Sequence, residues 1–221
     1  MPSPETSRIV VLHLTKYSDH ALILHTVDST SGRCSYMVRG IKRGNAVAAF
    51  HPLSLLDIVS VSSPKSSLGM LREWEPAQTL RDIRGSRIKS SLAMFISEVL
   101  YRSFTNELSD PHFFDWLSRV ISLLEAEEGS VANFHLWFLV SYAVQMGFMP
   151  DETIEPAGIF ESGEAALFLQ ILRSSFAETM AIPLSAERRQ AFSRKMLQYL
   201  SYHLGTTIDA RSLDVLHAVL A

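Results

Sequence analysis

The sequence predicts an α+β protein in which a small β-barrel is followed by a bundle of helices. Residues 8–77 alternate apolar and polar side chains with a period of two, which is typical of half-buried strands. After Pro76 the apolar residues recur every three to four positions, as on one face of a helix. The breaks between the alternating runs are rich in turn-forming Gly, Ser and Asp.

Five alternating runs predict five short antiparallel strands. They cover residues 8–15, 20–27, 32–39, 53–61 and 68–76. Five strands in so short a stretch favour a closed barrel, because closure leaves no exposed strand edge.

The helical patterns cover residues 88–104, 109–129, 131–147, 164–174, 185–205 and 209–220. Asp110 and Ser185 are expected to cap two of them, Gly205 to end one, and Asp209 to start the last. The helix at 131–147 is apolar nearly all round and is expected to be central. The boundary falls at Pro76 or near Gly85, and we place the two domains at 1–80 and 81–221.

Composition indicates an ordinary globular protein of 221 residues, 47% of them hydrophobic, with a net charge of −3. The N-terminus lacks the features of a signal peptide and no long apolar run occurs, so we expect a cytoplasmic protein that does not enter the membrane. The single cysteine, Cys34, rules out internal disulfides and a cysteine zinc cluster. We expect its side chain to be a small buried hydrophobe.

Charge is unevenly distributed. Residues 1–82 hold nine Lys and Arg against seven Asp and Glu, whereas residues 83–221 hold eleven against sixteen. Arg39, Lys42 and Arg43 fall within five positions, between glycines, at the end of a predicted strand. A loop that contacts an anionic ligand and a solvated turn are both compatible with this cluster.

No pattern of an enzyme is present: the sequence has no P-loop, no dinucleotide-binding glycine motif, no zinc-helix motif and no nucleophile elbow. His13 and His25 lie on different predicted strands and are candidates for neighbours. Glu125, Glu127 and Glu128 stand at a predicted helix end, where the helix dipole disfavours anions, and we interpret them as a solvated turn.

A binding function has more support. On a small barrel, single-stranded nucleic acid is held by cations and by aromatic rings that stack on bases. The candidate cations are Lys16, Arg33, Arg39, Lys42, Arg43, Lys65 and Arg72. The candidate stacking residues are Tyr17, Tyr36, Phe50 and Trp74, although Phe50 and Trp74 fit the core better. Further cations, which either extend this surface or are a solvated helix start, are Arg81, Arg84, Arg87 and Lys89.

The order of several segments resembles the RecO family of bacterial recombination mediators. The segments are VRGIKR, FHPLSLLDI, SLAMFISEVLYR, GSVANFHLWFLVSYAVQMGFMP, SAERRQAFSRKMLQYLSYHLG and SLDVLHAVL. The likeness covers residues 8–220 and is greatest to members from Bacteroidetes.

The resemblance implies an OB-fold followed by a helical domain, without enzymatic activity or a cofactor. It implies a DNA repair protein that binds single- and double-stranded DNA and anneals strands. With RecR it would help load RecA onto DNA coated by single-strand binding protein (SSB), and it would associate with the nucleoid during repair. The family's DNA-binding surface maps onto Arg39, Lys42 and Arg43, and more loosely onto Arg33, Lys16 and Arg72. The rival hypothesis is an OB-fold that docks RecR or SSB without contacting DNA.

Two further expectations come from the resemblance. The SSB tail of relatives binds an apolar pocket flanked by cations, for which the candidates here are Arg188, Arg189, Arg194 and Lys195. Many members carry four zinc-binding cysteines after a GF-x-P segment, but GFMP at 147–150 is followed by no cysteine here. We therefore expect packing of Ile154, Ile159 and Phe160 to hold this loop in place of zinc.

Overall fold

A computed structural model describes residues 4–40, 49–63, 66–105, 110–148 and 158–220. Strands come first and helices follow, which confirms the predicted α+β class. Contacts group residues 1–84 with 104–125 in one compact unit, and residues 85–103 with 126–221 in a second. They are called the barrel unit and the helical unit below.

The barrel unit contains a closed barrel of five strands. The strands are β1 (Pro4–Ser18), β2 (Ala21–Asp28), β3 (Gly32–Arg39), β4 (Leu55–Ser63) and β5 (Ser66–Pro76). Their order around the barrel is β1-β2-β3-β5-β4, and every pair is antiparallel except β3 with β5. This is the order of an OB-like barrel, and all five predicted strands are confirmed. β1 is longer than predicted because its first half pairs with β4 and its second half with β2.

The inner face of the barrel is filled by aliphatic and aromatic side chains, among them Ile9, Leu24, Val38 and Ile58. Tyr36 lies in this core and covers Gly69 on the neighbouring β5. A Cβ atom at Gly69 would stand 2.7 Å from the Tyr36 ring, so only glycine lets β5 pass so close to β3.

Eight helices are present among the described residues. They are α1 (Arg81–Gly85), α2 (Arg87–Ser103), α3 (Pro111–Ala126), α4 (Phe134–Gln145), α5 (Ser162–Arg173), α6 (Phe176–Ala181), α7 (Ala186–Leu204) and α8 (Ser212–Leu220). Six of them are the predicted helices. The other two, α1 and α6, span only five and six residues, which is too short for an apolar period to show. No helix among these residues is long and apolar enough to span a membrane.

The predicted helix ends are confirmed at three positions. The carboxylate of Asp110 accepts a hydrogen bond from the backbone N–H of Phe113 at 3.0 Å, just before α3. The Ser185 hydroxyl caps α7, and Gly205 ends it with a left-handed φ of 62°. Glycine reaches this conformation at little cost, which is why it is common at helix C-termini.

The last helix begins at Ser212, and the expectation that it starts from Asp209 is wrong. The Glu98 carboxylate on α2 accepts hydrogen bonds from the backbone N–H and the hydroxyl of Ser212, at 2.9 and 2.5 Å. Burial opposes the charge of Glu98, but hydrogen bonds from Ser212 and Arg102 outweigh burial and lower the pKa of Glu98. A distant residue therefore sets this helix start.

The helical unit is built around α4, as predicted. Most side chains of α4 are buried, including the full ring of His135. Ile159 and Phe160 are buried too, and the Phe160 ring lies 5.5 Å from Tyr199 and 5.7 Å from Phe168. This confirms the predicted packing of Ile159 and Phe160, while Ile154 lies outside the described residues.

Candidate nucleic-acid interface

One end of the barrel gathers cations from different strands. On β1, Lys16 lies opposite Leu22 of β2, close to the β1–β2 turn. On β3, Arg39 lies opposite Ala21, the first residue of β2. The strand register thus brings Lys16 and Arg39 to the same end of the barrel, and both side chains are exposed.

Arg72 reaches the same level from β5. The last registered pair between the parallel strands β3 and β5 joins Met37 to Met70. Arg39 and Arg72 each follow two residues later on their strands. Arg72 is exposed and lies at a β-bulge against β4, a distortion that often re-aims a side chain beside a binding site.

We call Lys16, Tyr17, Arg39 and Arg72 the cationic rim. Tyr17 is 63% exposed beside Lys16, so its ring is open to stack on a base. Lys16 forms an ion pair with Asp19 at 2.7 Å, and the hydrogen bond from Lys16 lowers the pKa of Asp19. Such a pair on the surface is weak and yields readily to a phosphate.

Arg33 is not part of the rim. It lies at the other end of β3, six residues before Arg39, which is about 20 Å along a strand. It is half-buried, and its charge contributes to lowering the pKa of His25.

His13 and His25 are neighbours, as predicted. They are cross-strand partners with ring centroids 6.0 Å apart. The His25 ring also contacts the hydroxyls of Thr15 and Ser35 at 3.0 and 2.9 Å. Burial first, and then Arg33 and His13, lower the pKa of His25 to about 4, so this ring is neutral at pH 7. The alternation of apolar and polar residues places His25 on the same face of the sheet as Arg33. It does not predict that the His25 ring is neutral.

Other sequence candidates fall outside the described residues. Lys42 and Arg43 belong to 41–48 and Lys65 to 64–65, so their placement in the candidate site remains a prediction.

The remaining aromatic candidates belong to the barrel interior. Tyr36 and Phe50 are 5% and 1% exposed, and Trp74 is half-buried with its ring 5.3 Å from that of Phe50. The core placement of Phe50 is confirmed. Tyr17 is therefore the aromatic residue of this set that projects into solvent.

A buried carboxylate supports the strands that carry the rim. Asp28 is 1% exposed and accepts hydrogen bonds from the hydroxyls of Tyr36 and Ser7, both at 2.6 Å. It also accepts two from Thr30 in the β2–β3 turn. Burial and the Asp28 charge raise the pKa of Tyr36 well above its usual range, so Tyr36 remains a donor.

The further cations Arg81, Arg84, Arg87 and Lys89 are divided between the two units. Arg84 of the barrel unit donates to the Ser54 hydroxyl at 3.1 Å. Lys89 of the helical unit is only 7% exposed. Arg81 and Arg87 are exposed in their respective units.

Glu125 explains how cations tolerate the start of α1. Its carboxylate accepts hydrogen bonds from the backbone N–H groups of Arg81, Asp82 and Ile83 at 2.7, 2.9 and 2.9 Å. An anion at the C-terminal end of α3 thus satisfies the N-terminus of α1. The interpretation of Glu125 as part of a solvated turn is wrong.

The four candidate cations for the SSB tail point in several directions around α7. Arg188 and Lys195 are seven residues apart and share one face, whereas Arg189 and Arg194 lie on others. Arg189 donates to the backbone carbonyls of Leu184 and Leu220. Arg194 lines a groove of about 330 Å³ and contacts Asp214 at 3.4 Å.

The chain does not offer the zinc site found in many members of the resembled family. Its only cysteine, Cys34, lies half-buried on β3 against the barrel core. In the described ranges, no group of three His, Cys, Asp or Glu side chains is placed to hold a metal ion.

Two family models match the chain. The N-terminal domain of recombination protein O matches residues 1–80, and its C-terminal domain matches residues 84–158. Proteins named DNA repair protein RecO match nearly the full length. The protein of Porphyromonas gingivalis is 31% identical over 95% of this chain and 96% of its own. The chain belongs to the RecO family of DNA repair proteins.

Further relatives of the same name come from other Bacteroidetes. The protein of Flavobacterium psychrophilum is 28% identical over 97% of this chain and 98% of its own. That of Bacteroides fragilis is 27% identical over 94% and 95%. The family consists of recombination mediators, not enzymes, in agreement with the absence of catalytic motifs from the sequence.

Proposed function

We propose that the chain binds single- and double-stranded DNA through the cationic rim, anneals complementary strands and, with RecR, helps load RecA onto SSB-coated DNA. The observation that carries this proposal is the meeting of exposed Lys16, Arg39 and Arg72 beside exposed Tyr17 at one end of an OB-like barrel. Lys42 and Arg43 follow Arg39 in the chain and are proposed to extend the surface. The DNA-binding domain is proposed as residues 1–80 and the helical domain as 81–221.

The binding mechanism is electrostatic. Lys and Arg side chains replace condensed counterions on the phosphate backbone, and release of those ions gives affinity without choice of sequence. Tyr17 adds stacking, which every base supports because every base has a flat aromatic face. The rim supplies three charges, so the affinity of the chain alone is expected to be moderate and strongly dependent on salt.

Annealing follows from the same contacts. A protein that holds strands by their phosphates leaves base edges free to pair, and a second strand is drawn to the same surface. The sequence has no nucleotide-binding motif, so the free energy for this step comes from binding and base pairing.

The helical unit is proposed to receive the SSB tail, an acidic and apolar segment. The groove of about 330 Å³ combines Arg194 with the apolar side chains Leu197 and Leu213. Two carboxylates, Asp209 and Asp214, also line it and disfavour an acidic ligand. Arg188 and Lys195, on another face of α7, offer the alternative attachment.

The test is fluorescence polarisation of a labelled single-stranded oligonucleotide with the full chain over a range of salt. The variant Lys16→Ala, Arg39→Ala, Arg72→Ala should bind more weakly and lose about 2 from the slope of log affinity against log salt, at about 0.7 per phosphate contact. The matched control Arg119→Ala, Arg173→Ala, Arg211→Ala removes three exposed cations outside the rim and should leave the slope nearly unchanged.

The same assay separates the two hypotheses. If the triple variant retains both affinity and slope at low salt, the rim is not the binding surface. If wild type binds DNA only when RecR is added, the barrel is a protein-docking module and the proposal of direct binding fails.

A further inference from the structure

The barrel unit carries a groove of about 700 Å³ that the proposed DNA contacts do not use. Its floor is the outer face of β1, β4 and β5, and its wall is the start of α3. Two rows of cross-strand partners build the floor. Thr6, Val59 and Glu73 form one row, and Arg8, Asp57 and Glu75 form the other.

The groove is acidic. Glu73 and Glu75 on β5 and Asp115 on α3 are exposed, and none of them has an ion pair within the described part of the chain. Among the described residues that line it, the one cation is Arg8, which is held by both oxygens of Asp57 with Nε–Oδ1 and Nη2–Oδ2 distances of 2.7 and 3.0 Å. Four carboxylates against one paired guanidinium leave the groove with a net charge of −3.

Two of these acids lie in positions that lower the stability of the fold. Asp57 and Glu75 lie directly opposite each other on β4 and β5. Like charges at such positions destabilise a sheet. Arg8, opposite Asp57 on the other side, offsets the repulsion only in part because Asp57 occupies its fork. A ligand with its own cations would relieve the remaining repulsion.

The shape and apolar contacts of the groove narrow the ligand class. Half-buried Val59 on the floor provides apolar surface between the acids, whereas Phe114 in the wall is only 5% exposed. The strands beneath are closed into a barrel, so a ligand cannot add a strand at an edge and must insert side chains. Nucleic acid is repelled by three net negative charges.

We propose that this groove binds a Lys- or Arg-rich segment of a partner protein. Arginine forks match carboxylates in a bidentate manner, as Arg8 and Asp57 already show within the groove. The aliphatic stems of the cations cover Val59 while their charged ends reach Glu73, Glu75 and Asp115. This proposal does not depend on DNA binding by the rim.

The test is polarisation of a fluorescein-labelled peptide of alternating arginine and valine, eight residues long, with the full chain at 50 mM salt. A peptide with glutamate in place of arginine is the ligand control. Wild type should bind the arginine peptide only, and Glu73→Gln, Glu75→Gln, Asp115→Asn should weaken it about tenfold, since each charge contact is exposed. These substitutions are isosteric and superficial, and circular dichroism verifies the fold.

A matched variant separates a local site from overall charge. Glu128→Gln, Glu161→Gln, Glu187→Gln removes three exposed acids of the helical unit and should leave peptide affinity within about twofold. Shifts of the backbone amide NMR signals of Val59 and Glu73, on the floor of the groove, should accompany peptide binding in wild type.

Three outcomes would overturn the proposal. The first is equal weakening by the two triple variants, which indicates general charge attraction. The second is displacement of the peptide by millimolar Mg²⁺ at constant ionic strength, which indicates a divalent-cation site. The third is competition by a single-stranded oligonucleotide that persists in the rim variant, which places nucleic acid in the groove.

Discussion

The cationic rim and the acidic groove belong to one barrel, yet they are built in different ways. The rim takes its charges from strand ends and from a bulge, where side chains project away from their neighbours. The groove takes its charges from cross-strand partners near the start of β4 and the end of β5, where the register sets Asp57 against Glu75. Lys16 and Arg39 have uncharged cross-strand partners, Leu22 and Ala21, whereas Asp57 and Glu75 face each other.

Because of this difference, the net charge of −3 does not describe the charge of either surface. Within the barrel unit, one surface is suited to a polyanion and the other repels it. In the proposed DNA binding, the opposite signs would also orient an approaching strand, since attraction at the rim and repulsion at the groove act together. The predictions below begin with a change that affects both surfaces and end with one that affects the stability of the barrel and neither surface.

The largest expected effect comes from Asp28, which supports both surfaces. Its carboxylate holds Ser7, which lines the groove, and Tyr36, on the strand that ends in Arg39. Asp28→Ala leaves buried hydroxyls without an acceptor and should lower the free energy of unfolding by about 3 kcal/mol. Urea denaturation measures this, and both binding activities should fall in parallel.

Asp28→Asn is the control, because it keeps an acceptor oxygen and the side-chain shape. It should cost clearly less than the alanine variant. A loss below about 1 kcal/mol for Asp28→Ala would show that the hydrogen bonds of Asp28 add little net stability.

A smaller loss of stability is expected at Glu125. This residue lies on α3, which forms the wall of the groove, and it does not contribute to the rim. Glu125→Ala leaves three N–H groups of α1 without their acceptor and should cost about 2 kcal/mol of stability. The peptide affinity should fall because α3 forms the wall of the groove, while oligonucleotide affinity should not change.

Glu128→Ala is the matched control at the same helix end. Glu128 is exposed, and removing an anion near a helix C-terminus should leave stability unchanged or raise it by a few tenths of a kcal/mol. Equal losses in the two variants would contradict the capping role of Glu125.

Replacing two acids of the groove by cations should increase the affinity for an oligonucleotide. Glu73→Lys with Glu75→Lys replaces two anions by cations on β5, the strand that also carries Arg72. Oligonucleotide affinity at 50 mM salt should rise about tenfold, and the salt slope should increase by about 1.4, from two added contacts at about 0.7 each. The Gln pair at these positions should change affinity less than threefold. An unaltered slope in the Lys variant would show that bound DNA never approaches this strand.

The smallest effect concerns pH and the ring of His25. Its folded pKa of about 4 lies below the unfolded value near 6.5, because burial and then Arg33 and His13 disfavour the cation. As pH falls from 6.5 to 4, the unfolded chain takes up this proton first, so the folded state loses stability. The loss should stay below about 1 kcal/mol, since the ring is partly exposed.

His25→Gln should flatten the stability curve over this range and leave oligonucleotide binding at pH 7 unchanged, because the ring is already neutral there. Thermal melts between pH 7 and 4.5 measure the slope. If the variant is as acid-sensitive as wild type, another group causes the pH dependence of stability. The first candidate is buried His135, whose pKa is lowered to about 3 by burial, His217 and Arg189.

Local pattern was sufficient for much of the fold. Alternation located all five strands, and helical periods located the six longer helices. Caps were found where the capping residue is close in sequence, as at Asp110, Ser185 and Gly205. The start of α8 was missed because Glu98, which holds Ser212, lies 114 residues away in sequence.

The features of the candidate sites are likewise of two kinds, those specified by local sequence and those specified by tertiary contacts. The candidate cations, the strands that carry them and the contact of His13 with His25 could be predicted from local sequence. They depend on spacing along one strand or a hairpin. Which charges lie on the same surface depends on contacts between strands that are distant in the chain. The closure of β1 onto β4 and of β5 onto β3 separates Arg33 from Arg39, brings Arg72 level with Arg39 and aligns Arg8, Asp57 and Glu75. Those pairings join residues distant in the chain, and their register depends on side-chain packing inside the barrel.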